Sequence, residues 1–234
     1  MKICAHIKPL AWDSAFFARR IAQLWISDDA PLLAPSSLAG FDLIQGKIEA
    51  GDYAAFDGLC RLGFQVVEAE IDLRAGSLSP VDAAPEIRVA VDSDIAALRA
   101  IAAQVFVTSR FRSPWFAAGE AGRLYAQWVE NAVRGIFDHA CLVAQDAEGC
   151  AGFVTLRRLT GQQARLGLLA VAPGRSGRGI GRSLVQAAVG WCVKERIDTL
   201  RSATQFSNVK ALGLHLQHGF RVDTCSHWLY KATS

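Results

Sequence analysis

Three glycines at alternate positions, Gly177, Gly179 and Gly181, stand between an apolar run and an amphipathic one in Leu168 to Val185, LLAVAPGRSGRGIGRSLV. Glycines at that spacing let the backbone turn its N–H groups inward, and a helix from Gly181 through Trp191 aims the positive end of its dipole at the same point. The chemistry on offer is the binding of a diphosphate. A Walker loop requires Lys and then Ser or Thr after its last glycine, whereas Gly181 is followed by Arg182 and Ser183. A dinucleotide fingerprint requires G-x-G-x-x-G on the first strand of a repeating βαβ unit with an acidic residue about 20 positions on. Here the glycines come late in the chain and in the order G-x-G-x-G. An ordinary strand-turn-helix link is the plain alternative to an anion site.

A second chemical pattern lies in the run Gln65 to Leu73, where the period of a strand puts Val66, Glu68, Glu70 and Asp72 on one face and Val67, Ala69, Ile71 and Leu73 on the other. An acidic stripe attracts an ammonium group; a solvated strand face is the simpler account. Arg110 and Arg112 flank Phe111 ahead of Pro114-Trp115-Phe116, a mixture suited to clamping a nucleotide diphosphate and stacking a base, or to anchoring a loop by aromatic packing. Tyr125, Trp128 and Asn131 share a helical face by their spacing, although core packing accounts for Trp128 equally well.

These residues need elements to hold them. Strands are predicted at Ile21–Ile26, Leu43–Ile48 and Gln65–Leu73, with a helix over Asp52–Leu62 that ends at Gly63, making a small α/β unit. The stretch Ala75 to Pro85 breaks the pattern with small residues and two prolines, so the chain divides into residues 1–76, a linker 77–85 and residues 86–234. The second part reads as a strand at Ile87–Ala90, a helix Asp94–Val105 capped by Asp92 or Ser93, and a helix Ala121–Val133. Next come a hairpin of Ala140–Gln145 and Ala151–Arg157, the strand Ala164–Val171, and the loop with its helix. The strand Thr199–Thr204, the helix Asn208–His218 and the strand Phe220–Tyr230 close the chain. No internal repeat is visible.

Composition narrows the rest. With 234 residues, 51% of them apolar, the chain can bury a substantial core. A net charge of +3 without a long basic run excludes bulk attraction to nucleic acid or an anionic membrane, so anion binding has to be local. No apolar run reaches membrane-spanning length and the N-terminus lacks a signal core, which points to the cytoplasm. Cys4, Cys60, Cys141, Cys150, Cys192 and Cys225 lack metal-ligand spacing and read as reduced core thiols, with no metal expected.

The loop and its context resemble motif A of the GNAT superfamily of N-acetyltransferases: Ser176-Gly177-Arg178-Gly179-Ile180-Gly181 matches, except that Ser176 holds a position usually occupied by Gln or Arg. The order of predicted elements in residues 86–234 is similar to that of the same superfamily. The resemblance implies an α/β (α+β) fold with a central mixed, mostly antiparallel sheet flanked by helices, here joined to the small N-terminal unit. It implies acetyl-CoA as co-substrate, bound by Ser176 to Arg182 and by the strand edge Leu169, Ala170 and Val171 in a V-shaped slot, with Asn208 on the motif's Asn. A pantetheine arm in such a slot completes the sheet as a peptide would.

Further segments resemble one family within the superfamily, the acetyltransferases of dTDP-4-amino-4,6-dideoxygalactose in enterobacterial common antigen assembly. They are Ile7 to Phe17, Ala30 to Ala34, Val67 to Leu73, Ser109 to Phe116, Tyr125 to His139 and Trp228 to Tyr230. The resemblance implies a nucleotide-sugar substrate whose C4 amine attacks the thioester directly, a carboxylate at Glu68 that assists through water, and, by analogy, a homodimer. The superfamily's usual Tyr general acid is replaced by His215. An imidazolium serves as well as a phenol in delivering a proton to the thiolate, yet a thiolate leaves with little help, and both accounts stay open. The fold also permits another amine as acceptor, or CoA binding without catalysis.

Overall fold

Period-two alternation forms strands where it is strongest. The computed structural model describes residues 2–76, 78–79 and 87–233, so most of the proposed linker lies outside the described residues. The first half comprises β1 (Ala5–Pro9), α1 (Ala11–Phe17), β2 (Ile21–Ile26), α2 (Pro35–Leu38), β3 (Leu43–Glu49), α3 (Tyr53–Arg61) and β4 (Gln65–Gly76). The second comprises β5 (Ile87–Val89), α4 (Ile95–Val105), α5 (Glu120–Val133), β6 (Ala140–Asp146), β7 (Gly149–Arg158), β8 (Gln163–Val171), α6 (Ile180–Lys194), β9 (Thr199–Gln205), α7 (Val209–Gln217) and β10 (Arg221–Ala232). β1, α1 and α2 are additions to the sequence reading. Each is short, and neither α1 nor α2 has an N-cap side-chain hydrogen bond to announce it. The expected cap of the α4 region is also corrected: Asp92–Asp94 form a 3-10 turn, and it is the Asp94 carboxylate that accepts from Val91 N–H at 2.8 Å. Two hydrogen bonds from Arg88 hold that carboxylate down to about 2.

One mixed sheet carries both halves, in the order β1-β2-β3-β10-β4-β9-β8-β7-β6-β5. Only β2 with β3 and β8 with β9 pair in parallel; the remaining pairs are antiparallel. α4 and α5 cover one face of β6 to β8, where Leu98, Val129, Val143 and Phe153 are fully buried. α6 covers the other face, with Leu156, Leu184, Val185, Ala188 and Leu200 sealed beneath it. A third cluster joins Leu59 and Ile44 of the first half to Leu229 of β10.

The structure contains a repeat that the sequence hides. β2-α2-β3-α3-β4 and β8-α6-β9-α7-β10 have the same order and the same parallel first pair, and each lends its last strand to the other, so that β10 lies between β3 and β4 while β4 lies between β10 and β9. The helices before the exchanged strands match in detail. α3 and α7 are both nine residues long, and Asp52 and Asn208 cap them by accepting from Ala55 and Ala211 N–H. Both end at a glycine in the left-handed region, Gly63 (φ 85°) and Gly219 (φ 78°), where a side chain is strained. The next residues, Phe64 and Phe220, are 3% and 2% exposed and donate N–H to Leu59 and His215 carbonyls. The shared features are a buried aromatic, a cap and a C-terminal glycine, which place few demands on the rest of the sequence.

The cysteines divide. Cys141 and Cys192 are buried, and burial pushes both thiols up to about 12; Cys60 and Cys225 are exposed, which corrects the expectation of core thiols throughout.

Gly152 seats α6 on the sheet: a Cβ there would lie 2.5 Å from the Ala170 carbonyl oxygen, with Leu184 and Ile180 side chains at 3.2 and 3.3 Å. Backbone cannot yield cheaply, so Gly152→Ala is expected to destabilise the fold by about 1–3 kcal/mol. Thermal unfolding of the variant beside the parent measures it.

Candidate active site

β8 and β9 form a slot. They pair only over Gln163–Arg165 with Thr199–Arg201, yet β8 runs on to Val171 and β9 to Gln205. Beyond the paired stretch, the edge of β8 facing β9 lacks a partner strand among the described residues. Such an edge accepts an extended ligand bearing amides. Leu169, Ala170 and Val171 lie on this free stretch. β8 also bulges there: Val154 faces Leu169 and Leu156 faces Leu166, so Gly167 and Leu168 together oppose Thr155. The fully buried Thr155 hydroxyl accepts the Leu168 N–H at 3.0 Å, and a Cβ on Gly167 would come within 2.7 Å of that oxygen. Glycine is therefore required, and the bulge re-aims the strand at the point where the slot opens.

The glycine loop follows at the end of β8. Gly177 (φ 82°) and Gly179 (φ 81°) adopt the left-handed conformation, and α6 begins at Ile180, one residue before the predicted start. Among the described residues the N–H groups of Gly177, Arg178, Gly179, Ile180, Gly181 and Arg182 donate to no protein acceptor. Six free donors at the positive end of a 15-residue helix make an anion cradle. The loop arginines are partly engaged elsewhere: Arg175 holds Asp146 and Glu148 at the tip of the β6–β7 hairpin, and Arg178 lies 4.0 Å from Glu148. Between hairpin and helix is a hollow of about 450 Å³ lined by Gln145, Ala147, Arg178, Ile180 and Ser183. The corresponding turn of the other half, residues 27–34, reads SDDAPLLA and leads into a helix of four residues. It offers no comparable cradle.

Across the slot, β4 places its acidic residues beside the mouth. Lys47 binds Glu70 at 2.7 Å and Asp72 at 2.5 Å, Trp228 Nε1 donates to Glu70 at 3.1 Å, and Arg165 lies 3.6 Å from Asp72. The stripe is thus largely neutralised. Among the described residues Glu68 is the member without a salt bridge; its Oε1 accepts from Ala69 N–H at 3.1 Å, and burial pushes its carboxyl above the ordinary range against the pull of Arg112 and Arg110.

His215 is buried, at 4% exposure, with both ring nitrogens engaged. Nδ1 lies 2.7 Å from the Ala211 carbonyl, which only accepts, so Nδ1 carries the hydrogen and Nε2 takes the Ser202 hydroxyl at 2.9 Å. Burial lowers its affinity for a second proton. Ser202 is the first β9 residue beyond the stretch paired with β8, a position the sequence did not single out. Asn208, aligned with the motif's Asn, has its side chain on the cap of α7.

The remaining sequence-named residues fall in two places. The Arg110 guanidinium bonds Gln45 at 2.7 Å and the Tyr230 hydroxyl, and lies 3.9 Å over the Trp228 ring. Arg112 donates to the carbonyls of Val67 and Ser113, and Trp115 meets Tyr230 edge-on. These group near Glu68. Tyr125 is buried with its hydroxyl 2.7 Å from Ser109 Oγ, and Asn131 accepts from Gln127. Trp128 donates to Asp138, a carboxylate only 2% exposed and adjacent to Gly167. Nothing in the local sequence marks Thr155, Gly167, Asp138 or Ser202, because their roles arise from contacts between strands.

A parting pair of parallel strands, a bulge and a glycine-loop helix define an acetyltransferase of the GNAT type. The chain matches the Acetyltransferase (GNAT) family over residues 105–220 and belongs to that family. It is 44% identical over 232 residues to the dTDP-fucosamine acetyltransferase of Escherichia coli O6:H1, covering 99% of this chain and 100% of that protein. Among solved structures it is similar to a functionally unknown conserved protein from Staphylococcus epidermidis (TM-score 0.63, 15% identity, 99% of this chain and 92% of that one). It is also similar to a tandem GNAT protein from the clavulanic acid biosynthesis pathway (TM-score 0.61, 14% identity, 91% and 75%). No helix among the described residues is long and apolar enough to cross a membrane.

Two outcomes are expected from this geometry. Thr155→Val strands the Leu168 N–H without a partner and should cost about 1–3 kcal/mol, read by denaturant unfolding. The unfolded chain protonates His215 near pH 6.5, the folded chain only lower, so stability is lost as pH falls below about 6.5. His215→Phe should flatten that decline when melting temperature is followed from pH 7.5 to 5.5.

Proposed function

We propose that this protein moves the acetyl group of acetyl-CoA to the C4 amine of a dTDP-4-amino-4,6-dideoxyhexose, dTDP-fucosamine in particular. The likeness to the Escherichia coli enzyme along the whole of both chains carries the reading. The acetyl-CoA diphosphate is held by the free N–H groups of residues 177–182 and its pantetheine arm by Leu169 to Val171, an assignment supported by the open strand edge and the unpaired amides. Residues 1–76 bring Glu68 to the acceptor side and residues 86–234 supply the acetyl-CoA side, joined through 77–85. Arg110, Arg112 and Trp115 border the acceptor near Glu68, and Tyr125, Trp128 and Asn131 back the same wall. The reading includes a cytoplasmic homodimer.

Glu68 takes a proton from the C4 ammonium through water, the free amine attacks the thioester carbonyl, the attacking nitrogen gives up its second proton to water, and the carbon–sulfur bond breaks to release a thiolate that solvent protonates. Backbone N–H groups near Val171 face the developing oxyanion. A carboxyl raised by burial is suited to a base's work near neutral pH. His215, with its proton on Nδ1, orients Ser202 rather than delivering a proton itself; the thiolate leaves with little help.

A thiol-release assay over dTDP- and UDP-linked 4-amino-4,6-dideoxyhexoses, galacto and gluco epimers side by side, tests the substrate. Rapid turnover of the dTDP galacto compound alone is expected, and silence across the panel overturns the reading. Glu68→Gln should lower turnover about 10²-fold with acetyl-CoA affinity retained. His215→Phe should lower it by less than about tenfold; a loss of about 10²-fold would make the imidazole the acid.

A further inference from the structure

Register brings five arginines into one row. Arg157 on β7 faces Arg165 on β8, Arg165 faces Arg201 on β9, Arg201 faces Arg74 on β4, and Arg74 faces Arg221 on β10. Residues that face one another across a sheet project from the same side. Their sequence neighbours Leu156, Leu166, Leu200 and Leu73 are buried at 3% exposure or less in the core beneath α6, so the arginines project from the opposite face, the face that carries Glu68 and Trp228. Like charges in direct cross-strand opposition destabilise a sheet, so such a row needs anions.

The anions within the protein cover the middle of the row, and Arg221, at the β10 end, has no ion pair among the described residues. Asp223 binds Arg201 at 2.7 Å and Arg74 at 2.9 Å, and Gln163 accepts from Arg201 at 2.7 Å. At the other end, Arg165 has Asp72 at 3.6 Å, a carboxylate already held by Lys47, and Arg157 has no ion pair among the described residues, only the Phe137 ring beneath it at 4.3 Å. The under-neutralised pair lies at the closed end of the slot. Arg165 and Arg201 are the last residues joining β8 to β9, and the Gly167–Leu168 bulge is two to three residues on, about 7–10 Å away.

We infer that Arg157 and Arg165 form the subsite for the diphosphate of a nucleoside-diphosphate-linked acceptor. The inference rests on the proposed acetyl transfer to such a sugar and assigns its anionic end. In a hexose joined to a nucleoside diphosphate through C1, the phosphate and the C4 amine stand at opposite ends of the ring. A diphosphate on the arginine row therefore presents the amine toward the bulge, with Glu68 on the same face. Arg157 and Arg165 stand on adjacent strands whose backbones lie about 4.8 Å apart, and guanidinium groups are planar, bidentate donors suited to phosphate oxygens. The acetyl-CoA diphosphate has a separate cradle at the glycine loop, at the far end of β8. The two anions thus lie toward opposite ends of β8.

Calorimetric titration of thymidine diphosphate into the whole protein, without acetyl-CoA, tests the subsite independently of turnover. Arg157→Gln and Arg165→Gln are each expected to weaken thymidine diphosphate about tenfold to hundredfold, to leave the affinity for acetyl-CoA unchanged, and to leave binding of thymidine itself unchanged. Arg165→Lys, which keeps the charge and loses the fork, should fall between parent and Gln variant. Unchanged affinity for thymidine diphosphate in both Gln variants overturns the subsite, as does an equal loss for acetyl-CoA. A loss in Arg112→Gln alone also overturns it and returns the diphosphate to the loop beside Glu68. Should no sugar nucleotide be acetylated, the proposed reaction fails while this titration still decides the subsite.

Discussion

The pairing of β4 with β10 is the contact on which the rest of the molecule depends. Each is a 12-residue strand at the end of one half of the chain, and each is inserted into the sheet of the other half. Neither half can complete its sheet alone, because the place beside its own β3 or β9 is taken by the other's last strand. The exchange carries Glu68 into line with Trp228 and the end of β9, where it borders a slot built by the second half. The strand that carries Glu68 thus lies beside β9, one wall of the slot whose other wall, β8, leads into the glycine loop.

The slot is a controlled breach of a general rule. Buried backbone groups are paired, and a sheet interior that opens for several residues leaves donors and acceptors without partners. The fold confines the breach to one side of β8: on the other side pairing with β7 continues to Val171, and the bulge at Gly167–Leu168 is closed by the Thr155 hydroxyl. Rigid support on one edge with an open edge opposite is what an amide-bearing ligand can use.

Charge is distributed to suit. Glu70 and Asp72 on β4 are ion-paired by Lys47 and Arg165, which leaves Glu68 as the member of the acidic stripe without an ion pair among the described residues, its carboxyl raised by burial. Arg175 is held by the carboxylates of the hairpin, while the loop's own N–H groups are left without protein acceptors among the described residues. In the first half, Asp28 and Asp29 occupy the equivalent turn, and the repeated arrangement offers one cradle rather than two.

Much of this was legible in the residues. Local preference located β2, β3, α3 and the hairpin within one or two residues, since alternation, Asn or Asp caps and C-terminal glycines act over a few positions. The glycine loop was legible for the same reason: free N–H groups at a helix start are a local property. Glu68 was legible as one acid among three, but not as the unneutralised one, because Lys47 lies 21 positions away in the chain. The neutral, buried state of His215, the Thr155 closure, the row of arginines and the exchanged repeat depend on which strands lie side by side. Sequence determined the elements and the anion loop, because those follow from neighbours in the chain. Tertiary structure decided which charges remain free, because register between distant strands sets the partners.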